Sequence, residues 1–368
     1  MADMGADVVK VERPDGGDGM RSWPPLSANA EGDVFSENFA SLNRNKRSIT
    51  ANLKDPDEIE RLKKLSASCD IVIENFRPGV LGRLGLGYDA LSALNEKLIY
   101  CSISGYGQTG PYSSKGAFDV TVQAMSGLMS VTGEPDGNPV KCGVPVGDFC
   151  AGLYAGYTVM AKLLQVRETG KGGYIDCSML GSLIGVAALQ TSEYFGNGNV
   201  PQALGSAHPR NAPYRAFQAS DDYFVIAAGN DRLWAEVAEA VDLPELSSDE
   251  RFLTQQLRAA NQGVLLDLLQ PVFLTQSVAY WLAEMDSRGV PCSPINNYPE
   301  ILADEHVDHM QLVQPLRLPN GVETSTTAYP VAMQDYKFEI YREPPVLGAH
   351  NDEVGMEWLG SEHEHANT

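Results

Sequence analysis

A single carboxylate opens a long run of small and apolar residues in the middle of this chain. Gly147 and Asp148 precede the run 149–161, a pattern that predicts a buried helix starting at the carboxylate. Glycine lets the backbone turn tightly and lets a partner approach closely, and a helix start offers unpaired N–H groups that favour an anion. Asp148 is therefore a candidate reactive group. The alternative is a helix cap, because Asp is a preferred N-cap residue.

Strand and helix patterns alternate before residue 196 and predict the elements that position this carboxylate. Several strand-like runs are apolar throughout, as expected for parallel strands that are buried on both faces. We therefore expect an α/β fold with a doubly wound, Rossmann-like large domain. The predicted strands are 6–12, 48–53, 70–74, 98–104 and 174–177, and the predicted helices are 55–68, 88–95, 119–129, 148–166 and 178–196.

A passage rich in glycine and proline, 196–213, marks a change of pattern and indicates a linker. The runs 214–219 and 223–228 that follow it predict a hairpin, and helical patterns come next. We expect a smaller α+β domain here. The predicted domains are a large α/β domain at 1–196, a small α+β domain with linkers at 197–312, and a C-terminal segment at 313–368 that returns to the large domain.

Composition limits the partners and the compartment. The 368 residues include Lys+Arg 27 and Asp+Glu 48, and the formal net charge of -21 disfavours nucleic acid as a partner. Six cysteines form no C-x-x-C pair, which indicates reduced thiols and a cytoplasmic protein. The start of the chain lacks the basic and apolar regions of a secretory signal. The run 149–161 is shorter than the roughly 20 residues of a membrane span, so we expect no membrane partner.

Several familiar chemistries lack their motifs. There is no G-x-x-x-x-G-K-[ST] loop, no G-x-S-x-G elbow, and no G-x-G-x-x-G after the first strand. His306 and His309 are spaced i,i+3, and His363 and His365 lie in a polar tail. We assign no metal to them, because a metal site also needs a third ligand and supporting hydrogen bonds.

Several segments, taken together, carry a family resemblance over nearly the whole chain. GADVVKVE at 5–12, NRNKRS at 43–48, ENFRPG at 74–79, GYGQTGP at 105–111 and Gly147-Asp148 resemble the family III CoA-transferases, the CaiB/BaiF family. AGND at 228–231, VPCSPIN at 290–296 and PPVLG at 344–348 extend the resemblance to the second half. The sequence at 99–111 is most similar to that of transferases of the succinyl-CoA:glutarate type, which act on dicarboxylates.

The resemblance implies that Asp148 is a nucleophile that carries CoA as an aspartyl thioester between an acyl-CoA donor and a carboxylic acid acceptor. It also implies an interlocked homodimer. Gly205 and Ser206 are expected in a loop that covers the site and keeps water out, and the alternative is a plain interdomain linker. Arg210 follows this loop, and we expect it to pair with the distal carboxylate of a dicarboxylic acceptor. The alternative is a surface residue.

Coenzyme A carries phosphates, so an acidic protein needs local cations to bind it. The resemblance places Arg13, Lys54 and Arg83 near the nucleotide, and Asn75 and Phe76 at its adenine end. Solvated surface charges are the alternative for Lys54 and Arg83, a core position for Phe76, and pairing with a nearby carboxylate for Arg13. The cluster of Arg44, Lys46 and Arg47 is expected to add to the same positive region.

Phe118 and Asp119 separate two reactions. The α-methylacyl-CoA racemases resemble this family but have a histidine where Phe118 stands, because moving an α-proton needs a second acid or base. Asp119 matches an acidic position of the transferases and is expected to orient the nucleophile or to affect its charge. The alternative is another helix N-cap.

The chain starts at the segment ADMGAD, ahead of which the family has a strand and a Gly-Pro helix that contact CoA. A shortened front is therefore expected. There are two alternatives to a transferase of dicarboxylates: a racemase-type isomerase, which Phe118 argues against, and a non-catalytic CoA-binding protein, which only the shortened front favours. The expected location is cytoplasmic, or the mitochondrial matrix if a transit segment preceded residue 1.

Overall fold

Parallel strand pairs organise the first half of the chain in the computed structural model, which describes residues 1–359. His363 and His365 lie outside these residues. The strands are β1 (Val8–Glu12), β2 (Leu26–Ala28), β3 (Val34–Ser36), β4 (Lys46–Thr50), β5 (Ile71–Glu74), β6 (Ile99–Ser104), β7 (Gly173–Ser178), β8 (Tyr214–Gln218), β9 (Tyr223–Ala227), β10 (Cys292–Pro294), β11 (Val313–Arg317) and β12 (Glu323–Thr327).

Four of the five predicted helices are present, with shifted ends. The α-helices are α1 (Glu37–Asn43), α2 (Pro56–Ala67), α3 (Val80–Arg83), α4 (Tyr88–Ser92), α5 (Asp119–Met125), α6 (Val146–Thr169), α7 (Met179–Val186), α8 (Ala188–Asn197), α9 (Asp231–Ala240), α10 (Gln255–Ala260), α11 (Gln262–Phe273), α12 (Val278–Ser287), α13 (Tyr298–Leu302), α14 (Glu305–His309) and α15 (Asn351–Leu359). Short 3-10 helices lie at Ala2–Met4, Gly19–Ser22, Leu128–Ser130 and Pro244–Ser248. The single helix predicted at 178–196 is wrong, because the backbone leaves helical dihedrals at Ala187.

Two parallel sheets confirm the α/β prediction. β1 pairs with β4, and β5, β6 and β7 form a second parallel sheet in that order. The middle strand β6 is buried at nearly every position, because it has strands on both sides and helix α6 packs against it. The predicted hairpin forms between β8 and β9, with β10 added antiparallel to β9.

The described chain divides into two compact units. The first contains Met1–Val122, Pro145–Gly185 and the chain from Leu302 onward, and the second contains Gln123–Val144 and Val186–Ile301. The domain boundaries at 196 and 312 stay predictions.

Each unit has its own apolar core. In the first, residues of α2, α4, β4 and β6 share one cluster, which includes Ile49, Leu62 and Leu98. In the second, the rings of Phe217, Phe224 and Trp281 pack around Phe273, with centroids 4.7 to 5.3 Å from it. No helix within residues 1–359 combines the length and the apolar character that crossing a bilayer requires.

The C-terminal segment closes one edge of the first sheet. The N–H groups of Ser48 and Thr50 in β4 donate to the side chains of His350 and Asn351, at 3.1 and 2.8 Å. The buried Arg47 pairs with Glu353 and with Glu357 of α15. The outer edge of β4 is therefore capped by residues three hundred positions away in sequence.

Candidate active site

Helix α6 begins with a backbone hydrogen bond and is not capped by the Asp148 side chain. Pro145 is the N-cap residue, and its carbonyl accepts the N–H of Phe149 at 3.1 Å. Asp148 is the third residue of the helix. The N-cap alternative for Asp148 is therefore wrong, since its carboxylate satisfies no N–H group of its own helix.

Asp119 caps this helix from another one. It is the first residue of α5, and its Oδ1 accepts the N–H of Gly147 at 2.8 Å. The alternative that Asp119 caps its own helix is wrong, because Phe118 occupies the position before α5 and Asp119 already lies within the helix. The structure thus brings the predicted pair Asp119 and Asp148 together at one helix start.

Gly147 makes this approach possible. A Cβ atom at Gly147 would lie 2.9 Å from Asp119 Oδ1, 3.4 Å from Leu183 Cδ1 and 3.5 Å from Met179 Cε. The first distance is shorter than side chains tolerate, so any larger residue would displace the Asp119 carboxylate. A glycine is required before the candidate nucleophile because the Asp119 carboxylate lies too close for a Cβ atom at this position.

Asp148 is the less satisfied carboxylate of the pair. Its side chain is exposed, and within residues 1–359 it has no hydrogen-bond or ion-pair partner. Although the residue as a whole is exposed, its carboxyl group is partly shielded from solvent, which raises the pKa of Asp148, and the negative charge of Asp119 raises it further. A carboxylate with this combination is available to attack an electrophile.

An exposed aromatic residue directly precedes Asp119 in the chain. The side chain of Phe118 is 81% exposed. Its backbone is held firmly, because its N–H donates to Thr121 Oγ1 at 3.0 Å and its carbonyl accepts the N–H groups of Thr121 and Val122. In the sequence, Phe118 was informative only because it stands where the racemases have a histidine.

The predicted nucleotide cations follow the carboxyl ends of parallel strands. Arg13 comes directly after β1, Lys54 follows β4, and Arg83 ends α3 after β5. In the described part of the chain none of the three has a carboxylate partner. Arg13 donates instead to the carbonyl of Gly17 at 2.8 Å, so the carboxylate alternative for Arg13 is wrong. Unpaired cations in so acidic a chain suit anionic phosphates.

Asn75 and Phe76 lie in the loop after β5. Phe76 is 44% exposed, so the core alternative for it is wrong. Arg77, the next residue, was missed by the sequence analysis. Its Nη2 lies 3.2 Å from the place of a Cβ on Gly116, so it reaches the loop after β6. A signal existed, because Arg77 belongs to the quoted segment ENFRPG.

The cluster of Arg44, Lys46 and Arg47 does not extend this region, and that expectation is wrong. Arg44 is buried and pairs with Asp3 at 2.9 Å, and Arg47 is buried among three carboxylates. Lys46 is held by Asn43 at 3.1 Å, and burial lowers its pKa to about 8. These cations stabilise the fold and are not free to bind phosphates.

The predicted cover loop belongs to the second unit and is anchored at both residues. Gly205 has φ 62° and donates to the carbonyl of Gly133 at 2.8 Å, and Ser206 Oγ accepts the N–H of Ala216 at 3.0 Å. Arg210, also in this unit, pairs with Glu193 at 2.9 Å. The loop forms a defined turn. The positive φ at Gly205 is a backbone conformation that favours glycine.

A groove of about 400 Å³ in the first unit contains none of the predicted site residues. Tyr88, Tyr100 and Tyr174 form one wall, with ring centroids 5.5 to 6.2 Å apart, and Arg77 and Gln108 reach it. It lies on the face of β6 and β7 opposite the one that carries Cys101 and Cys177.

The sequence profile of CoA-transferase family III matches residues 1–351. This chain belongs to that family. It is 40% identical to succinyl-CoA:glutarate CoA-transferase of Mus musculus over 98% of this chain and 81% of the relative. It is 38% identical to succinate--glutarate CoA-transferase of Agrobacterium fabrum, over 96% of this chain and 89% of the relative. A CAIB/BAIF family protein of Brucella suis has the same fold, with a TM-score of 0.84, 38% identity, and coverage of 97% and 93%.

A family III CoA-transferase uses acyl-CoA as its substrate, and the resemblance inferred from the sequence is confirmed. The chain is an enzyme, so the alternative of a non-catalytic CoA-binding protein is wrong. Within residues 1–359 no three His, Cys, Asp or Glu side chains are grouped to hold a metal ion.

Proposed function

We propose that this enzyme moves CoA from an acyl-CoA such as succinyl-CoA to a short dicarboxylic acid, with Asp148 as the nucleophile. The observation that carries the proposal is the exposed, unpartnered Asp148 carboxylate beside the Asp119–Gly147 hydrogen bond. The names of the relatives support the substrate class, since the mouse and Agrobacterium proteins are named for succinyl and glutarate transfer.

The chemistry exchanges a carboxylate and a thiolate at each step. An oxygen of Asp148 attacks the thioester carbonyl, and the CoA thiolate leaves to give a mixed anhydride. The thiolate attacks the Asp148 carbonyl, which gives an aspartyl-CoA thioester and releases the donor acid. The acceptor carboxylate then attacks this thioester, and CoA thiolate returns to the acceptor carbonyl. Asp148 regains its carboxylate, and no oxidant, metal or external base is consumed.

The remaining predicted residues bind the substrates. The unpaired cations of Arg13, Lys54 and Arg83 would bind the CoA phosphates, and Asn75 and the exposed ring of Phe76 would contact adenine. Asp119 holds the helix start, and its negative charge beside Asp148 raises the pKa of the Asp148 carboxyl group, which makes this carboxylate the more nucleophilic. Gly205 and Ser206 would cover the bound acyl group.

The test is covalent labelling of Asp148. Intact mass spectrometry after mixing with succinyl-CoA should show an adduct that hydroxylamine removes, because hydroxylamine cleaves thioesters and anhydrides. Asp148→Asn should form none. Asp267→Asn is a matched control, since Asp267 is also an exposed helical carboxylate, and it should form as much adduct as the natural chain. Full labelling of Asp148→Asn would contradict the proposal.

Arg210 would select dicarboxylic acceptors by pairing with their distal carboxylate. Its guanidinium pairs with the carboxylate of Glu193 at 2.9 Å, and the distal carboxylate of an acceptor would take the place of this partner. Arg210→Ala should reduce the preference for glutarate over butyrate, measured by chromatography of the CoA esters. Arg251→Ala, another exposed and paired arginine of the same unit, should leave the preference unchanged.

We also propose that the enzyme is a homodimer in a reducing compartment such as the cytoplasm. Exposed apolar side chains recur along one side of α6 at Leu153, Tyr157, Met160 and Leu164, a spacing of three and four residues that buries well against another helix. All six cysteines are free. Leu153→Glu should lower the mass measured by light scattering to that of a monomer if this side of α6 is the interface.

A further inference from the structure

Phe118 is exposed to an extent that is costly for an apolar side chain held in place. Its ring is 81% exposed, yet its backbone N–H and carbonyl are both fixed at the start of α5. The start of α5 therefore holds an apolar ring at the surface directly before Asp119, the residue that hydrogen-bonds the helix start carrying Asp148.

The position of Phe118 relates it to the reacting group. Asp119, the next residue, binds the N–H of Gly147 at 2.8 Å, and Asp148 follows Gly147. The peptide segments that carry Phe118 and Asp148 therefore meet at one hydrogen bond. No other apolar ring in residues 1–359 directly precedes a carboxylate of this pair.

We propose that the Phe118 ring excludes water from the covalent intermediates on Asp148, an inference that rests on the proposed function. The aspartyl-CoA thioester and the anhydrides are activated acyl groups, and water competes with the acceptor carboxylate for them. Expelling water from a site is one way in which enzymes prevent such side reactions. The phenyl group also has no donor or acceptor, so it cannot hold or activate a water molecule.

The side reaction is hydrolysis with a defined balance. Water adds to the Asp148 carbonyl of the thioester, the C–S bond breaks, and the CoA thiol leaves with one proton. Asp148 keeps one oxygen of the water. The net change is acyl-CoA plus water to acid plus free thiol, and no acceptor is needed. Hydrolysis and transfer share every step up to the thioester, so their ratio isolates the fate of the intermediate.

The experiment compares thiol release from succinyl-CoA without acceptor and CoA-ester formation with glutarate. We expect Phe118→Ala to raise the ratio of hydrolysis to transfer about tenfold, which corresponds to about 1.4 kcal/mol between the two barriers. Phe118→Leu keeps an apolar cover and should stay within about twofold of the natural chain. Phe195→Ala is the matched control, because Phe195 is equally exposed at 81% but lies in α8 of the other unit.

Further measurements separate the possible causes. In water labelled with heavy oxygen, Phe118→Ala should place the label in Asp148, which peptide mass spectrometry detects. If Phe118→Ala does not fold, Phe118→Gln replaces the ring by a polar group of similar reach and should raise the ratio too. Unchanged ratios in these variants, or an equal rise in Phe195→Ala, would overturn the inference while the Asp148 adduct still supports the transferase. A natural chain without the adduct would overturn both.

Discussion

The contact between Gly147 and Asp119 gives the sharpest prediction, through Gly147→Ala. The added methyl group would lie 2.9 Å from Asp119 Oδ1, and the carboxylate can rotate away more easily than the backbone can move. The hydrogen bond at 2.8 Å would then be lost. A hydrogen bond to a charged group contributes about 1.5 to 3 kcal/mol. Alanine offsets about 1 kcal/mol of this through its higher helix propensity.

Stability and activity should therefore separate. The free energy of unfolding should fall by about 1 kcal/mol, as the difference of these contributions. If about 2 kcal/mol of Asp119 positioning is lost from the transition state, kcat/KM for succinyl-CoA should fall about thirtyfold. The assays are urea unfolding and steady-state transfer to glutarate.

Gly152→Ala is the matched control for this substitution. Gly152 lies in the same helix, and a Cβ atom there meets nothing within 4 Å. This variant should gain about 1 kcal/mol in stability and keep its kcat/KM. Combining Gly147→Ala with Asp119→Ala should cost no more activity than Asp119→Ala alone. A natural kcat/KM in Gly147→Ala would refute the role given to this hydrogen bond.

Asp119→Asn keeps an oxygen for Gly147 but removes the charge that raises the pKa of Asp148, so the acid limb of the kcat/KM profile should move to lower pH. The pKa of Asp148 is raised in the folded state, so the free energy of unfolding falls as the pH rises through this pKa. Asp148→Asn should therefore have a higher melting temperature than the natural chain at neutral pH but not at acid pH. Arg258→Met should cost roughly 3 kcal/mol, since the fully buried guanidinium serves the carbonyls of Ala212 and Phe252. The exposed Arg251→Met should leave the melting temperature nearly unchanged, because a solvent-exposed ion pair contributes little to stability.

Local sequence patterns were sufficient to predict much of the fold. The helix predicted at 148–166 is α6 at Val146–Thr169, and the hairpin forms where two apolar runs flank Ser220-Asp221-Asp222. These features depend on residues that are close in sequence, so periodicity and turn composition are sufficient to find them. The family resemblance added the roles proposed for Asp148 and Asp119.

Contacts between distant residues were beyond the sequence. Arg47 looks like part of a basic run, but its partners Asp7 and Glu353 lie 40 and 306 residues away. Asp119 looked like a cap of its own helix, and only the fold shows that it serves Gly147, 28 residues later. Charge and capping rules identify what a side chain can do, whereas the partner is chosen by topology.

The capping of β4 by the C-terminal segment has a consequence for synthesis. The ribosome delivers Ser48 and Thr50 about three hundred residues before their partners His350 and Asn351. The hairpin and helices of the second unit, 186–301, are already outside by then. The second unit can acquire its native contacts at this stage, but the edge of β4 in the first unit is still unpaired. Unpaired strand edges can pair with strands of other chains. A nascent chain halted before His350 is thus the form most in need of a chaperone.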